Sequence, residues 1–298
     1  MPVVSPASRS QSAPTRHTRR NFLLGSAAAA AGVALYSGEF ARHHIDVTQR
    51  TFAIRNLPPA FNGFRFVQIS DIHLEEFTEE FFLTQVVKRV NALAPDLVLI
   101  TGDYVTNGIQ STRVSLAAAG RCGALLNALD CPQRFGILGN HDAVLDPFVV
   151  RDHLQNNGIP LLVNQFTRIE RGGQHLWLGG LDDILSGHPN LDLVMPPSPD
   201  APVIVMAHEP DYVDAIVKHP RGKLVDLVLS GHTHGGQIRL PGLRPFKAAL
   251  PTMGEIYTEG HYNFGPMQLY VNRGLGTVGL PFRLNCPPEI TVATLRPA

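Results

Sequence analysis

The chain has 298 residues, of which 44% are hydrophobic and 17% charged. That balance supplies a sizeable core and excludes a largely disordered chain, while the length allows one large domain or a core domain with appendages. The 25 basic and 25 acidic residues cancel, so no net field holds a polyanion and nucleic acid is not a favoured partner.

Residues 1–17 are rich in Ser, Pro, Arg and Ala without an apolar period, which predicts a disordered leader. Residues 18–44 are a separate object. Thr18-Arg19-Arg20-Asn21-Phe22-Leu23-Leu24 opens an Ala-rich apolar run that ends near Tyr36. A charged start followed by a short apolar run describes an export signal. The paired arginines before Phe-Leu resemble a twin-arginine signal. That resemblance implies the twin-arginine export machinery as a partner, transport in the folded state, and an exported or periplasmic location. The run is short for a membrane span. No clean small-residue cleavage site stands out between 34 and 41, so removal and retention as an anchor both stay open. A buried or amphipathic first helix is a third alternative.

From residue 45 to 298 no second composition regime appears, which predicts one domain. Strands are expected at 64–69, 97–100, 134–138, 175–178, 203–206, 224–229 and 290–295. Helices are expected after Thr78, as a candidate cap, with Phe82, Val86, Val90 and Leu93 on one face, and at 111–129 and 147–156. The alternation argues an α/β layered fold with sheets inside and helices outside. Cys122, Cys131 and Cys286 are no disulfide framework, although the first two are near enough in sequence to pair. Buried, inert thiols are the simpler expectation. None lies in a CxxC pair, so a thiolate zinc site is not signalled.

Five expected strands end in polar residues able to bind metal. They run into Asp71-Ile72-His73, Gly102-Asp103, Gly139-Asn140-His141-Asp142, His208, and Gly231-His232-Thr233-His234. Ligands of open α/β sheets bind beyond the carboxyl ends of strands, so these segments can converge. In an extended chain, residues i and i+2 point to one side, which would aim Asp71 with His73, and His232 with His234, at a shared site. A glycine ahead of a ligand permits a sharp exit from the strand. Carboxylate, imidazole and amide oxygen without thiolate suit Mn, Fe, Zn, Co or Ni. Seven donors are too many for one tetrahedral zinc and about right for two metals sharing a carboxylate, the arrangement that clamps attacking and leaving oxygens at phosphorus.

This ordered set, spread over residues 63–239, resembles the calcineurin-like metallophosphoesterase signature. Together with Gly274-Leu275-Gly276-Thr277 and Cys286-Pro287-Pro288-Glu289-Ile290, it is similar to the exported phosphodiesterase subgroup labelled YaeI-like or YkuE-like. That subgroup is itself similar to enzymes hydrolysing the pyrophosphate of UDP-diacylglucosamine. The resemblance implies a four-layer αββα sandwich of two mixed sheets flanked by helices. It implies two divalent or trivalent metal ions (Mn, Fe or Zn), the first held by Asp71, His73 and His234, the second by Asn140, His208 and His232. Asp103 would bridge both beside a bridging hydroxide. His141 would contact the phosphate and protonate the leaving oxygen, a role that suits a group titrating near neutrality. Asp142 would stand behind the ligands and orient an imidazole.

Other signals carry less. Gly274-Leu275-Gly276-Thr277-Val278-Gly279 satisfies GxGxxG, but Leu280-Pro281 follows where a dinucleotide site needs a helix, so loop punctuation is the expectation. His208-Glu209 is not HExxH, since Tyr212 occupies the second histidine position. Asp103-Tyr104 lacks the tyrosine spacing of purple acid phosphatases. Residues 240–251, with Leu243 and Phe246, form an apolar, proline-punctuated loop. It reads either as ordinary packing or as a lip for an acyl chain or membrane surface. The first functional reading is a metal-dependent phosphodiesterase or pyrophosphatase, acting as a monomer on a small-molecule or lipid-linked phosphoester such as UDP-diacylglucosamine. The alternatives are a phosphomonoesterase or nuclease on the same site, and a non-catalytic, membrane-tethered metal-binding protein.

Overall fold

The computed structural model describes residues 19–108, 110–240, 242–243, 245 and 250–298. The leader expected over 1–17, Thr18 of the signal, and Phe246 of the apolar loop lie outside them.

Helix α1 (Arg19–Leu35) buries none of its residues. The helical turns that follow, Tyr36–Phe40 and Ala41–His43, do enter the protein, burying Ser37, Gly38 and Ala41. The whole helical stretch Arg19–His43 is 25 residues, long and apolar enough to cross a membrane. It outruns the apolar run because helical geometry continues through the turns that pack on the domain.

Two sheets follow. The first has the order β1 (Asp46–Ile54), β11 (Glu289–Pro297), β2 (Arg65–Ile69), β3 (Leu97–Ile100) and β4 (Arg134–Gly136). All its pairs are parallel except β11 with β2. The second runs β5 (Gln165–Arg171), β6 (Gln174–Gly180), β7 (Val203–Met206), β8 (Val225–Ser230), β10 (Met267–Val271) and β9 (Gly260–Phe264). Its middle is parallel and its two edge pairs are antiparallel.

The period of two in each strand builds the layers. Leu97 and Leu99 of β3 and Leu227 and Leu229 of β8 face each other across the gap between the sheets. Val98 and Ile100 turn outward to meet Phe82, Val86 and Val90 of α2 (Glu80–Leu93) and Ala118 and Cys122 of α3 (Thr112–Leu126). Val228 faces the other way, toward Val213 and Ile216 of the short helix Val213–Lys218. Strands buried on both faces read as continuous apolar runs, which is why β3 and β8 were conspicuous. The layers are helix, sheet, sheet, helix. Helix α2 starts at Glu80 after Glu79, without a side-chain cap, and Thr78 precedes it as a buried residue. All three cysteines are free and buried.

Candidate metal centre

The five strand ends meet at one place. Asp71, His73 and His234 form one group of donors, Asp103, His208 and His232 another, and His73, Asp103 and His141 a third; within each group the donor atoms lie within 4.8 Å of one another. Asp103 Oδ2 sits 3.5 Å from His73 Nε2 and 3.1 Å from His208 Nε2, between the two halves. His234 Nε2 is 3.5 Å from Asp71 Oδ1. Asn140, first residue of α4 (Asn140–Leu145), brings its Oδ1 to 2.9 Å from His232 Nδ1.

The backbone differs from the extended geometry expected of the DxH and HxH spacings. Asp71, His73, Asp103, His232 and His234 all have positive φ, between 49° and 74°. These candidate ligands stand on left-handed turns beyond the strands, and alternation along a strand does not aim them. Non-glycine residues held in this region carry strain of about 1–3 kcal/mol each, which the surrounding structure must over-determine. Here the turns are stapled to one another. The Asp71 carboxylate accepts the His232 amide at 2.9 and 3.0 Å, and Asp103 Oδ1 accepts the His141 amide at 3.0 Å. Gly102 has φ +94°, and a Cβ there would stand 2.7 Å from both Gly139 N and His208 Nδ1. At Gly231 a Cβ would stand 1.9 Å from Ser70 Oγ. These glycines let the turns close on one another.

Each imidazole is held by one nitrogen and offers the other. His208 Nδ1 donates to the Thr101 carbonyl at 2.6 Å, His234 Nδ1 to the Gly276 carbonyl at 3.2 Å, and His232 Nε2 to the Thr252 carbonyl at 2.8 Å. His73 Nδ1 pairs with Thr106 Oγ1 at 2.9 Å. Such outer partners fix tautomer and orientation. The free nitrogens then face other acceptors. His73 Nε2 and His234 Nε2 are 3.1 Å apart. His232 Nδ1 faces the Asn140 oxygen, and buried His208 Nε2 makes no well-aligned hydrogen bond, although Asp103 is near. In the His73–His234 and His232–Asn140 pairs, lone pairs pointed at each other would be reconciled by a cation between them, so the donor set fits metal ions.

Protonation states agree. Burial holds His73 and His232 down at about 3 and His234 well below the usual histidine range, so all three are neutral at pH 7, the form able to bind a metal. Burial raises Asp71 to about 6, opposed by His208. Burial also works against charge on Asp103 and His208. Their mutual attraction nevertheless holds the carboxyl well below, and the ring well above, its ordinary value in the metal-free chain.

Asp142 lies behind these turns, fully buried. It accepts the amides of Tyr104 at 3.0 Å, Val105 at 3.2 Å and Gly139 at 3.0 Å, and so joins the turn carrying Asp103 to the one carrying Asn140. His141 is half-buried, and its Nδ1 accepts the Asn107 amide at 3.0 Å. A cleft of about 400 Å³ opens over the site, with Asp103, Asn140, His141 and His232 on its floor and Leu250, Val278 and Leu280 at its side.

Residues 64–236 match the family model described as calcineurin-like phosphoesterase. The chain belongs to the calcineurin-like phosphoesterase family. Among its relatives are the metallophosphoesterase YkuE of Bacillus subtilis (strain 168), 35% identical over 94% of this chain and 98% of that one, and the phosphodiesterase YaeI of Escherichia coli (strain K12), 32% identical over 78% and 82%. The UDP-2,3-diacylglucosamine pyrophosphatase LpxG of Chlamydia trachomatis is 27% identical over 79% and 85%. Residues 16–36 match a twin-arginine translocation signal, so this phosphoesterase is an exported protein. It is a hydrolase of the metallophosphoesterase class.

Two parts of this phosphoesterase's site escaped sequence reasoning. The GxGxxG stretch does more than punctuate a loop. A Cβ on Gly274, whose φ is +68°, would stand 2.6 Å from the Asp71 Cβ; the Gly276 carbonyl holds His234; and Val278 lines the cleft. Arg283 is fully buried and donates to the carbonyls of Arg273, Gly274, Gly276 and Cys286, wrapping that stretch around its guanidinium. Its Nη2 also lies 3.4 Å from His234 Nδ1, and neither residue type nor spacing announces a buried arginine whose donors go mainly to carbonyls.

Proposed function

We propose that the centre binds two metal ions and hydrolyses a phosphodiester or pyrophosphate, with a lipid-linked phosphoester as substrate. Asp71, His73 and His234 would hold one ion, Asn140, His208 and His232 the other, and Asp103 both. The observation that supports this reading is the pairs of facing atoms beside Asp103, His73 Nε2 with His234 Nε2 and His232 Nδ1 with Asn140 Oδ1, which cations between them would reconcile. When bound, such a pair lowers the pKa of water toward neutrality and neutralises charge on a phosphoryl group.

The chain's own residues supply the rest. The Asn107 amide occupies His141 Nδ1, so Nε2 carries the proton of the neutral ring and can donate it to the leaving oxygen. His73, packed edge-on at 4.9 Å between ring centroids, limits the swing of that imidazole. Leu250, Val278 and Leu280 give one wall an apolar character, and Leu243 and Ile256, on the neighbouring segments, are exposed. That apolar surround, with the pyrophosphatase named among the relatives, supports a substrate carrying acyl chains. The formal charge of zero offers nothing to hold a polynucleotide.

The test is a substrate panel with metal-stripped protein reloaded with Mn, Zn or Fe, comparing mono- with diesters and soluble with lipid-linked forms. His141→Ala should keep its metal and lose about 10²–10⁴ in kcat on an alkyl ester, which needs a proton on the leaving oxygen. On a nitrophenyl ester, whose leaving group needs none, the loss should be much smaller. Asp103→Asn should lose metal and both activities. Full activity of Asp103→Asn, or equal losses of His141→Ala on both leaving groups, would refute the assignment.

A further inference from the structure

The anchor helix and the cleft share a wall. Helix α1 presents only exposed residues from Arg19 to Leu35, and no spacer separates it from the domain. Ser37, two residues later, is already buried, and its carbonyl accepts the Arg283 amide at 3.1 Å. Gly38 lies so close to the Phe282 ring that a Cβ there would stand 3.1 Å from it. Arg42 then binds the Phe77 carbonyl and pairs with Glu79 at 2.6 Å. The segment that receives the helix is the one that walls the cleft. Leu280, 55% exposed, precedes Phe282 by two residues, and the carbonyls of Val278 and Leu280 are pinned by Gln237, three residues past His234.

The lengths force a consequence. Seventeen helical residues span about 26 Å, slightly less than the roughly 30 Å hydrocarbon core of a bilayer. A helix that crosses the membrane therefore reaches its end as the domain begins. The residues at that junction suit an interface, since Tyr36 and Phe40 are both exposed aromatics. Arg19 and Arg20 mark the opposite, cytoplasmic end. Exposed Leu240, Leu243 and Ile256 lie on segments that follow cleft residues Ile238 and Pro251, which extends the apolar surface around the same mouth.

We propose that α1 stays on the chain as a membrane anchor and seats the rim of the cleft, through Leu240, Leu243, Ile256 and Leu280, on the bilayer surface. The partner is the lipid headgroup and upper acyl layer. The inference needs the anchor and its clamp on residues 282–283, and it does not rest on which ester is hydrolysed.

The experiment reads depth and orientation without using activity. The full chain is reconstituted in phospholipid vesicles carrying headgroup-depth nitroxide lipids. A fluorophore is attached to Leu243→Cys, to Ile256→Cys, or to Glu170→Cys near the β5–β6 hairpin, at the other end of the strands; the native cysteines are buried. Labels at 243 and 256 should be quenched several-fold more than the label at 170, as for side chains about 5–10 Å into the interface. The two positions lie on separate segments, so a local disturbance of one leaves the other readable. The mass of the chain recovered from host membranes should include Arg19 to Leu35. Equal quenching at all three positions, or a mature chain starting beyond Leu35, would overturn the proposal.

Discussion

Asp142→Asn tests whether the staple is charged, because burial and then Asp103 push this carboxyl well above its usual range while three amide donors favour the anion. One carboxylate oxygen accepts Tyr104 and Val105, the other Gly139, and every group facing it is a donor. An asparagine must turn its NH2 toward one of those amides, whichever way it is flipped. The change removes a charge-assisted hydrogen bond, worth about 1.5–3 kcal/mol, and leaves a buried donor facing a donor, at about 1–3 kcal/mol. The expected loss is roughly 3–5 kcal/mol for a group fully buried in the fold. Because the three amides belong to the turns that present Asp103 and Asn140, metal affinity should also fall about 10–100-fold, as for other partners that orient ligands. Urea unfolding of the metal-free chain measures the first quantity and calorimetric titration with Mn²⁺ the second. A stability loss below about 1 kcal/mol together with unchanged affinity would show that Asp142 does not act as a charged staple, and would refute the argument.

Other expectations follow from the same geometry. Gly102→Ala places a methyl 2.7 Å from the Gly139 amide nitrogen and His208 Nδ1 at φ +94°; it should cost at least about 1–3 kcal/mol of backbone strain and weaken metal binding, both readable by thermal melts with and without Mn²⁺. In the metal-free chain, His73 and His232, depressed to about 3, stabilise fully above their ordinary 6.5 and lose that contribution as pH falls toward 3. Asp71, raised from 3.8 to about 6, works in the opposite sense, as do Asp142 and Glu209, whose carboxyls burial pushes well up. Chemical unfolding between pH 6.5 and 4 should therefore show a slope well below the roughly 4 kcal/mol per pH unit of three unopposed imidazoles, and a slope of that size would contradict this. Metal at a hundred times its dissociation constant should add about 2.7 kcal/mol, reversed by chelator and checked by the melting temperature. Leu243→Ser with Ile256→Ser should slow hydrolysis of a bilayer-embedded diester and leave a soluble one unchanged; equal effects on both would remove the apolar rim from substrate handling.

Much of this was legible in the sequence. Strand ends announce themselves when an apolar run covered on both faces stops at polar residues, and Asp71, Asp103, Asn140, His208 and His234 all follow such runs. The way the ligands are aimed was hidden. Spacing cannot distinguish an extended DxH from a DxH in two left-handed turns, since those turns are imposed by contacts between segments, such as the hold of Asp71 on the His232 amide. Strand β1 was missed because its exposed half, from Gln49 to Thr51, shows no apolar alternation and its pairing partner lies over two hundred residues away. The role of residues 274–283 was missed for a related reason. The segment acts through its backbone carbonyls, and side-chain type records nothing about a carbonyl.

The position of β11 bears on how this protein reaches its destination. The strand formed by Glu289–Pro297 lies between β1 and β2, in the interior of the first sheet. Strand β2, whose end bears Asp71, therefore lacks one of its two neighbours until residues 289–297 have been made. Maturation of the metal pocket is in effect post-translational, and a threaded, unfolded polypeptide would have to assemble it from nothing on the far side. A transporter that accepts cargo only after assembly removes that burden, and the signal at the front of this chain addresses such a transporter.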